Sequence, residues 1–400
     1  MFEHLTPAPP DPILGLTEAF KEDQHPQRIN LGVGVYQDAQ GRTPVLQAVK
    51  QAEERIWHSE TTKSYMPIGG SPVFGRLVRE LLCGADHPAC AGNRLVTLHT
   101  PGGTGALRVG ADWLASLPGA HRVWVSRPTW ANHRGVFEAA GFTVAEYPYQ
   151  DPATHAVDFE AMCAGLEEVP AGDVVLLHVC CHNPSGADLS PAQWQVVARL
   201  AEQKGWLPFL DFAYQGLGAG IEPDRAGVCA LLDAGVEMLI ASSFSKNFGL
   251  YRERTGALTV ATRPGTDPAA AFSLLQRVVR VNYSNPPAHG GLIVETVLGD
   301  AALRRLWQEE LDGMRSRIQG MREQLQAYLA ARPTPGEFGY IARHQGMFSL
   351  LGLADEVVAT LRAEFGIYVV KGGRINVAAL TPANWEYFAA SLLDVLNRKA

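Results

Sequence analysis

The stretch Met238-Leu239-Ile240-Ala241-Ser242-Ser243-Phe244-Ser245-Lys246 joins a short apolar run to a polar loop that carries a lysine. The apolar run is typical of a buried strand. A lysine amine that is buried near other cations loses its proton more readily, and the neutral amine can form a Schiff base with a carbonyl compound. Two serine hydroxyls in the loop, and the guanidinium of Arg254 beyond it, are groups that bind phosphate. The stretch therefore predicts a strand that delivers a reactive lysine to an anion site, although a solvated surface lysine is the commoner explanation for such a residue taken alone.

The composition is typical of a globular, enzyme-sized chain, with 46% hydrophobic and 19% charged residues among 400. The net charge of −7 predicts no broad basic surface for nucleic acid. No apolar run is long enough to span a bilayer, and the first residues have the features of neither a signal nor a transit peptide. We therefore expect a cytoplasmic protein without a membrane partner. The six cysteines follow no zinc-binding or disulfide pattern, so no metal is predicted.

Six apolar runs between Arg94 and Val260 predict the strands of one sheet, with helix-like segments between several of them. Runs that are continuously apolar, rather than alternating with polar residues, indicate strands buried on both faces. The predicted fold class is therefore α/β, with a mostly parallel sheet covered by helices. The predicted strands are Leu95–Leu98, Val123–Val125, Val174–Val179, Leu207–Leu210, Met238–Ala241 and Ala257–Val260.

Polar and aromatic residues follow four of these strands, at the edge where parallel sheets bind ligands. These residues are Trp130, Asn183, Asp211 with Tyr214, and Lys246. A carboxylate at a buried strand end is costly unless a cation pairs with it, and the protonated ring nitrogen of a cofactor would be such a cation. His133 is a candidate partner that keeps Asp211 ionised, with an ordinary core or surface histidine as the alternative.

The Gly-rich turn Pro101-Gly102-Gly103-Thr104-Gly105 opens a predicted helix. Backbone N–H groups at a helix N-terminus, together with the Thr104 hydroxyl, would bind a phosphate. The turn lacks the Gly-Lys-Ser/Thr ending of a nucleotide P-loop and does not match the dinucleotide fingerprint. A nucleotide-binding enzyme is therefore the less favoured alternative for this turn.

The two ends of the chain predict an arm and a smaller domain. Four prolines, Pro7, Pro9, Pro10 and Pro12, predict an extended N-terminal arm, 1–12, that lies on a partner subunit. Apolar residues three and four apart from Leu303 to Tyr328 predict one helix of about thirty residues, long enough to connect two lobes. The segments after this helix are typical of α+β structure. We predict a small domain from 13–45 and 314–400, and a large domain from 46–313.

Two further arginines would suit a dicarboxylic substrate. Arg374 stands between glycines and an apolar strand, where a solvated cation has little reason to be, and Arg280 precedes Val281-Asn282-Tyr283-Ser284-Asn285-Pro286-Pro287. A guanidinium can hold a carboxylate through two parallel hydrogen bonds. Each arginine would therefore bind one carboxylate.

Five motifs in this order resemble the fold-type I, class I aminotransferases, and within them the aspartate and aromatic amino-acid subgroup. They are Gly102-Gly103-Thr104, Cys180-Cys181-His182-Asn183-Pro184, Asp211-Phe212-Ala213-Tyr214, Ser243-Phe244-Ser245-Lys246-Asn247 and Asn282-Tyr283-Ser284-Asn285-Pro286-Pro287. The resemblance runs from about Asn30 to about Ala379. It implies the fold of pyridoxal-phosphate-dependent transferases with a seven-stranded type of sheet, pyridoxal 5'-phosphate as cofactor, and a homodimer with shared active sites.

The resemblance also implies a role for each matching residue at the cofactor. Lys246 forms the Schiff base and later moves the proton, while Asp211 binds the pyridine nitrogen. Trp130 stacks on the ring, and Tyr214 and Asn183 contact the ring oxygen. The phosphate ligands are Gly103, Thr104, Ser243, Arg254 and, from the partner subunit, Tyr65.

The resemblance implies substrate-binding residues as well. Arg374 binds the α-carboxylate with help from Asn183, and Trp130 and the backbone of Gly34 also contact the substrate. Arg280 of the partner subunit binds the distal carboxylate. The expected reaction is a ping-pong transfer of the amino group between L-aspartate and 2-oxoglutarate, which forms oxaloacetate and L-glutamate.

The residues that bear on the choice of substrate are of mixed type. Val35, Thr43, Thr104 and Asn285 match the aspartate type, whereas Gln37 and Ser64 stand where lysine and asparagine would be expected. Transfer from aromatic amino acids (tyrosine or phenylalanine) is therefore the alternative. A non-catalytic sensor that binds pyridoxal phosphate is a third hypothesis. It is disfavoured because every catalytic position holds the residue type that the reaction requires.

Overall fold

The computed structural model describes residues 2–7, 14–91, 94–119 and 121–399, apart from the side chains of Leu14 and Lys399. Residues 2–7 are exposed and form neither helix nor strand. Pro9, Pro10 and Pro12 of the predicted arm lie outside the described residues. The arm and its packing on a partner subunit therefore stay predictions.

A mostly parallel sheet of seven strands is the largest element of the fold. The described residues form β1 (Ile29–Asn30), β2 (Leu95–Pro101), β3 (Arg122–Arg127), β4 (Thr143–Pro148), β5 (Val174–His178), β6 (Leu207–Phe212), β7 (Met238–Ser243), β8 (Thr255–Ala261), β9 (Phe348–Leu350), β10 (Ile367–Tyr368) and β11 (Arg374–Asn376). The large sheet has the order β2-β8-β7-β6-β5-β3-β4. In this sheet β8 runs antiparallel to both of its neighbours, β2 and β7, and the remaining pairs are parallel. The predicted α/β fold with a mostly parallel sheet is confirmed, and all six predicted strands belong to this sheet.

The burial of each strand explains whether it could be predicted from an apolar run in the sequence. Strands β5 to β8 are buried along nearly their whole length, which matches their continuously apolar sequences. The edge strand β4 is partly exposed at most positions and includes the polar residues Thr143 and Glu146. Its mixed sequence lacks the apolar run by which the other strands were predicted, and no strand was predicted there.

Helices fill most of the segments between the strands. They are α1 (Leu14–Glu22), α2 (Gln47–Ser59), α3 (Pro72–Cys83), α4 (Pro88–Ala91), α5 (Gly102–Ala115), α6 (Asn132–Glu138), α7 (Phe159–Glu167), α8 (Pro191–Lys204), α9 (Ala226–Asp233), α10 (Ala269–Asn282), α11 (Ala288–Gly299), α12 (Ala301–Ala330), α13 (Tyr340–Arg343), α14 (Asp355–Phe365) and α15 (Trp385–Lys399), with 3-10 turns at Pro223–Arg225, Lys371–Gly373 and Val377–Ala379. The helix α8 begins with Pro191 after the cap Ser190, whose Oγ accepts from the Gln193 N–H. The thirty residues of α12 confirm the long helix. Among the described residues, no helix has both the length and the apolar character needed to cross a bilayer.

The chain forms two compact units. One comprises 1–43, 318–343 and 347–400, and the other 44–317 and 344–346. The larger unit holds the seven-stranded sheet. The smaller unit holds the parallel pair β1–β10 and the antiparallel pair β9–β11. The domain boundaries predicted from the sequence stay a prediction.

A buried histidine makes the stability of the larger unit depend on pH. His99 lies in β2 and is 1% exposed, with its ring centroid 4.6 Å from that of Phe74. Burial lowers the pKa of His99 to about 4. The unfolded chain takes up this proton near the ordinary histidine pKa of about 6.5, whereas the folded chain does so only near pH 4. The folded state therefore loses stability as the pH falls between these values.

We expect the free energy of unfolding to fall as the pH is lowered from 7 to 4, and to fall less in His99→Gln. The difference between pKa 6.5 and about 4 corresponds to about 3 kcal/mol. Urea denaturation at a series of pH values measures the effect. Substitution of the exposed His58 by Gln is the matched control. The same pH dependence in His99→Gln and the parent protein would contradict the assignment.

Candidate active site

The carboxyl ends of neighbouring parallel strands bring the predicted site residues of the larger unit to one edge of the sheet. Trp130 follows the end of β3, Asn183 the end of β5, and Lys246 the end of β7. Asp211 was predicted to follow its strand. It lies instead within β6, where its register partners are His178 of β5 and Ala241 of β7. This edge is where open α/β sheets bind ligands.

Asp211 is a buried carboxylate that is held by a histidine. His133 Nε2 lies 2.9 Å from Asp211 Oδ2, and His133 Nδ1 lies 2.8 Å from Thr129 Oγ1. An ionised carboxylate only accepts hydrogen bonds, so Nε2 of His133 is the donor. Burial opposes the charge of Asp211, but the hydrogen bond from His133 and the charge of Lys246 help to outweigh it, and the pKa of Asp211 lies below its ordinary value. The site therefore offers a fixed negative charge at the sheet edge.

Lys246 is the half-buried cation next to this charge. Its Nζ lies 5.2 Å from the centroid of the Tyr214 ring. Burial lowers the pKa of the Lys246 amine, the nearby Asp211 carboxylate opposes that effect, and the Arg254 guanidinium adds to it, so that the pKa ends below its ordinary value. A larger fraction of the amine is therefore neutral, which is the state that attacks a carbonyl group or accepts a proton.

A set of donors beside the lysine forms what we call the anion cradle, defined by Gly102, Gly103, Thr104, Ser243 and Arg254. The helix α5 begins at Gly102, and its first-turn residues 103–105 are only partly buried. Orphan N–H groups in such a turn attract anions. A Cβ added at Gly102 would lie 2.4 Å from Arg254 Nη2, and one added at Gly103 would lie 3.0 Å from Ser243 Cβ. The glycines therefore allow an arginine and a serine to approach the helix N-terminus, and the donor set fits a phosphate group.

The other predicted residues of the larger unit, Trp130, Asn183 and Tyr214, differ in how deeply they are buried. Trp130 is half-buried, and its ring meets that of His133 edge-on, with centroids 5.2 Å apart. Asn183 and Tyr214 are both buried. Trp130, His133 and Asp211 thus form one cluster of contacts, while Lys246 lies over the Tyr214 ring and interacts with Asp211 through its charge.

Two residues in this cluster were not predicted. Thr129 hydrogen-bonds His133, as described above. His178 ends β5, packs against His133 with centroids 5.1 Å apart, and has its pKa lowered by burial to about 3. Neither stands in a motif, but His178 occupies the end of a predicted apolar strand, and a polar residue in that position was a usable signal.

Arg374 in the smaller unit is a buried cation. It is 5% exposed, its Nη2 donates to the carbonyl of Gly32 at 2.5 Å, and its guanidinium lies 4.5 Å from the centroid of the Phe348 ring. Gly34 packs on the same ring, because a Cβ added there would lie 2.9 Å from Phe348 Cζ. Phe348 was not predicted, since its place beside both residues depends on the pairing of β9 with β11.

Tyr65 and Arg280 lie on the surface of the larger unit. Tyr65 is 92% exposed. Arg280 is also exposed, and its Nη1 donates to Ser284 Oγ at 2.5 Å. Both residues were expected to act in the site of a partner subunit, and that expectation stays a prediction.

The chain is similar over nearly its whole length to known proteins of one family. The model of the family described as aminotransferase class I and II matches residues 26–392. The aspartate aminotransferase of Salmonella typhi is 50% identical over 396 residues, which cover 99% of this chain and 100% of that protein. The aromatic-amino-acid aminotransferase of Pseudomonas aeruginosa is 45% identical over 394 residues, 98% of each chain. A crystal structure of the aromatic-amino-acid aminotransferase from Burkholderia pseudomallei, covalently bound to pyridoxal phosphate, matches with a TM-score of 0.96 at 46% identity over 99% of both chains.

The chain therefore belongs to the aminotransferase class I and II family. The family and fold predicted from the sequence are confirmed. The predictions of an aminotransferase and of pyridoxal phosphate as its cofactor are confirmed at the level of the family. The structure fits that cofactor, because it offers an activated lysine, a buried carboxylate and a phosphate-sized set of donors at one sheet edge. The roles of the individual residues stay predictions.

We expect Gly102→Ala to weaken the affinity for pyridoxal phosphate by about tenfold or more. The new methyl group would meet Arg254, and the backbone at Gly102 has a φ of +78°, which non-glycine residues adopt at a cost of about 1–3 kcal/mol. Equilibrium dialysis of the cofactor against each variant measures the effect. Gly313→Ala is the control, because a Cβ there meets no atom within 4 Å. Equal affinities in the two variants would show that Gly102 does not shape the cofactor site.

Proposed function

We propose that the chain catalyses the reversible transfer of the amino group between L-aspartate and 2-oxoglutarate, with oxaloacetate and L-glutamate as products. The observation that carries the proposal is the Lys246 amine, which lies by the buried Asp211 carboxylate and has a lowered pKa. Full-length similarity to an aspartate aminotransferase at 50% identity supports aspartate as the substrate. The two half-reactions would share one site in ping-pong order.

Pyridoxal phosphate, when bound, supplies a ring that draws electrons from the α-carbon of the amino acid. We propose that Asp211, kept ionised by His133, pairs with the protonated ring nitrogen. Lys246 would take the proton from the α-carbon of the amino acid and deliver it to the cofactor, and in the second half-reaction it would move a proton in the reverse direction, to the α-carbon of the product amino acid. Proton transfer by a positioned side chain is typically worth about 10²–10⁴-fold in rate.

We assign the remaining residues of the larger unit to orienting the cofactor. The anion cradle would hold the phosphate through the α5 N-terminus, the serine hydroxyl and the guanidinium of Arg254. Trp130 would stack on the ring, and Asn183 and Tyr214 would contact the ring oxygen. Fixing the cofactor in this way would limit proton movement to the atoms that face Lys246.

We assign Arg374 to the α-carboxylate of the substrate, with Asn183, Trp130 and the backbone of Gly34 as further contacts. The support is the burial of Arg374, which is 5% exposed. Its contacts with the Gly32 carbonyl and the Phe348 ring hold the guanidinium in one orientation. A guanidinium can bind a carboxylate through two parallel hydrogen bonds.

We propose a homodimer in which Tyr65 of the partner subunit binds the cofactor phosphate and Arg280 of the partner subunit binds the distal carboxylate. Two exposed apolar side chains lie close to these residues in the sequence, since Trp57 is 76% and Val281 is 86% exposed. A subunit interface that covered them would remove apolar surface from water. A cytoplasmic location stays a prediction.

Transfer from aromatic amino acids is the second candidate. Relatives of that activity match the full chain almost as well, and Gln37 and Ser64 depart from the aspartate type. The exposed Arg280 could turn toward water and leave room for a neutral ring. Both activities would use the same Lys246 and Asp211, so they differ only in how the distal side chain is bound.

Lys246→Ala should reduce turnover of aspartate with 2-oxoglutarate by about 10²–10⁴-fold, while the protein still binds pyridoxal phosphate. The amine that moves the proton is removed, whereas the anion cradle remains. A coupled assay of oxaloacetate measures turnover, and the cofactor content is measured separately after denaturation. Lys50→Ala is the control, since Lys50 is exposed and pairs with the nearby Glu53 on the surface. Turnover close to that of the control would refute the proposed role of Lys246.

Arg280→Ala should lower kcat/KM for aspartate by about 10²-fold and that for phenylalanine by less than about threefold. A bidentate contact with a carboxylate is worth roughly 2–4 kcal/mol. Phenylalanine has no distal carboxylate, so its binding does not include this contact. Steady-state kinetics with each amino acid gives the ratio. Arg277→Ala, an exposed arginine on the same helix, controls for the loss of surface charge. Equal losses for both substrates would remove Arg280 from the distal-carboxylate role.

A further inference from the structure

Three free cysteines gather at the C-terminal end of α3, away from the residues of the candidate active site. The Sγ atoms of Cys83 and Cys90 lie 2.6 Å apart. Both thiols are directed to the carbonyl of Arg79, at 3.1 Å from Cys83 and 3.6 Å from Cys90. Cys229 is near, with its Sγ 3.8 Å from the carbonyl of Cys83. The sequence pattern predicted no disulfide among these residues.

The positions of the two thiols already approach those of a bonded pair. The sulfurs of a disulfide lie about 2.05 Å apart, so Cys83 and Cys90 need to close a gap of only about 0.6 Å. Cys83 is the last residue of α3, and Cys90 lies in α4. Backbone hydrogen bonds hold both ends, from Gly84 N–H to Glu80 and from Cys90 N–H to His87. Bond formation therefore requires no rearrangement of the helices.

The two thiols differ in access and in charge. Cys83 is buried, whereas Cys90 is only partly buried and follows a segment, 85–88, that is exposed or half-exposed. The hydrogen bond from Cys83 lowers the pKa of Cys90, burial opposes this, and the charge of Arg79 adds to the lowering. The hydrogen bond to Cys90, followed by burial, raises the pKa of Cys83. Cys90 is therefore the thiol that reacts first with a reagent from solution.

We propose that Cys83 and Cys90 form a reversible intramolecular disulfide by exchange with a low-molecular-weight disulfide such as oxidised glutathione. The Cys90 thiolate attacks one sulfur of the reagent, forms a mixed disulfide and releases one glutathione thiolate. The Cys83 thiol then loses its proton and attacks Cys90 Sγ, which releases the second glutathione. Two protein thiols are oxidised, and one glutathione disulfide is reduced to two thiols.

The bond would fasten the last turn of α3 to α4. That turn is connected to the active-site edge of the sheet, because Gln215 Nε2 donates to the carbonyl of Leu81 at 2.8 Å and Asn247 Nδ2 donates to the carbonyl of Gln215 at 3.1 Å. Closing a short loop removes conformational freedom mainly from the unfolded chain. The oxidised protein should therefore unfold at a temperature about 3 °C higher than the reduced protein.

The test uses the reduced holoenzyme, freed of reductant and incubated with oxidised glutathione. Intact mass spectrometry should show the loss of two hydrogen atoms without a glutathione adduct, and peptide mapping should join Cys83 to Cys90. Dithiothreitol should reverse both changes. In Cys83→Ser the adduct should persist on Cys90, because no second thiol resolves it. In Cys90→Ser neither the disulfide nor that adduct should form.

Cys229→Ser is the matched control, since it removes the third thiol of the cluster and should leave the oxidation unchanged. Three results would overturn the proposal. They are a stable glutathione adduct on the parent protein, a disulfide that joins other cysteines, and an unchanged mass after prolonged exposure to the reagent. The mass shift is measured without an activity assay. A negative result would therefore contradict the disulfide without bearing on the proposed transamination.

Discussion

The buried carboxylate of Asp211 sets the condition that the rest of the site must meet. Removing an ionised carboxylate from water costs several kcal/mol. The hydrogen bond from His133, itself bonded to Thr129, offsets part of this cost. The helix α6 must therefore pack against the end of β6 so that the histidine reaches the carboxylate. The need to stabilise the charge of Asp211 thus fixes the position of α6 at the sheet edge.

The same charge governs the lysine. Asp211 favours the protonated form of Lys246, while burial and Arg254 favour the neutral form. A phosphate dianion in the anion cradle would offset the charge of Arg254 and leave burial as the main cause of the lowered pKa. In the proposed site, anion binding and lysine reactivity would therefore be coupled through Arg254. Moving the arginine would change both properties together.

The apolar runs predicted the central strands because β5 to β8 are buried on both faces and must be apolar throughout. The same rule failed at the edge, where β4 is partly exposed, and it placed Asp211 beyond its strand because a carboxylate interrupts the apolar run. The proposed cofactor residues come from the order of the motifs, and their roles stay predictions. The supporting residues His178 and Phe348 were missed, since their neighbours come from strand pairing and not from nearby sequence. Local pattern therefore predicts what a residue can do, while tertiary contacts decide which residues support it.

The substrate depends on a part of the site that the fold constrains least. Transfer from aspartate and from an aromatic amino acid would use the same groups at the α-carbon, so the fold and the cofactor residues cannot distinguish them. In the proposed role, the distal carboxylate is bound by Arg280, which is exposed and held by a hydrogen bond to Ser284. Hydrogen bonds of this kind contribute about 1–3 kcal/mol. A difference in binding free energy of that size is enough to make one substrate side chain preferred over another. Relatives of both activities can therefore share this fold, because in that role a small free energy at one exposed side chain would be enough to change the preferred substrate.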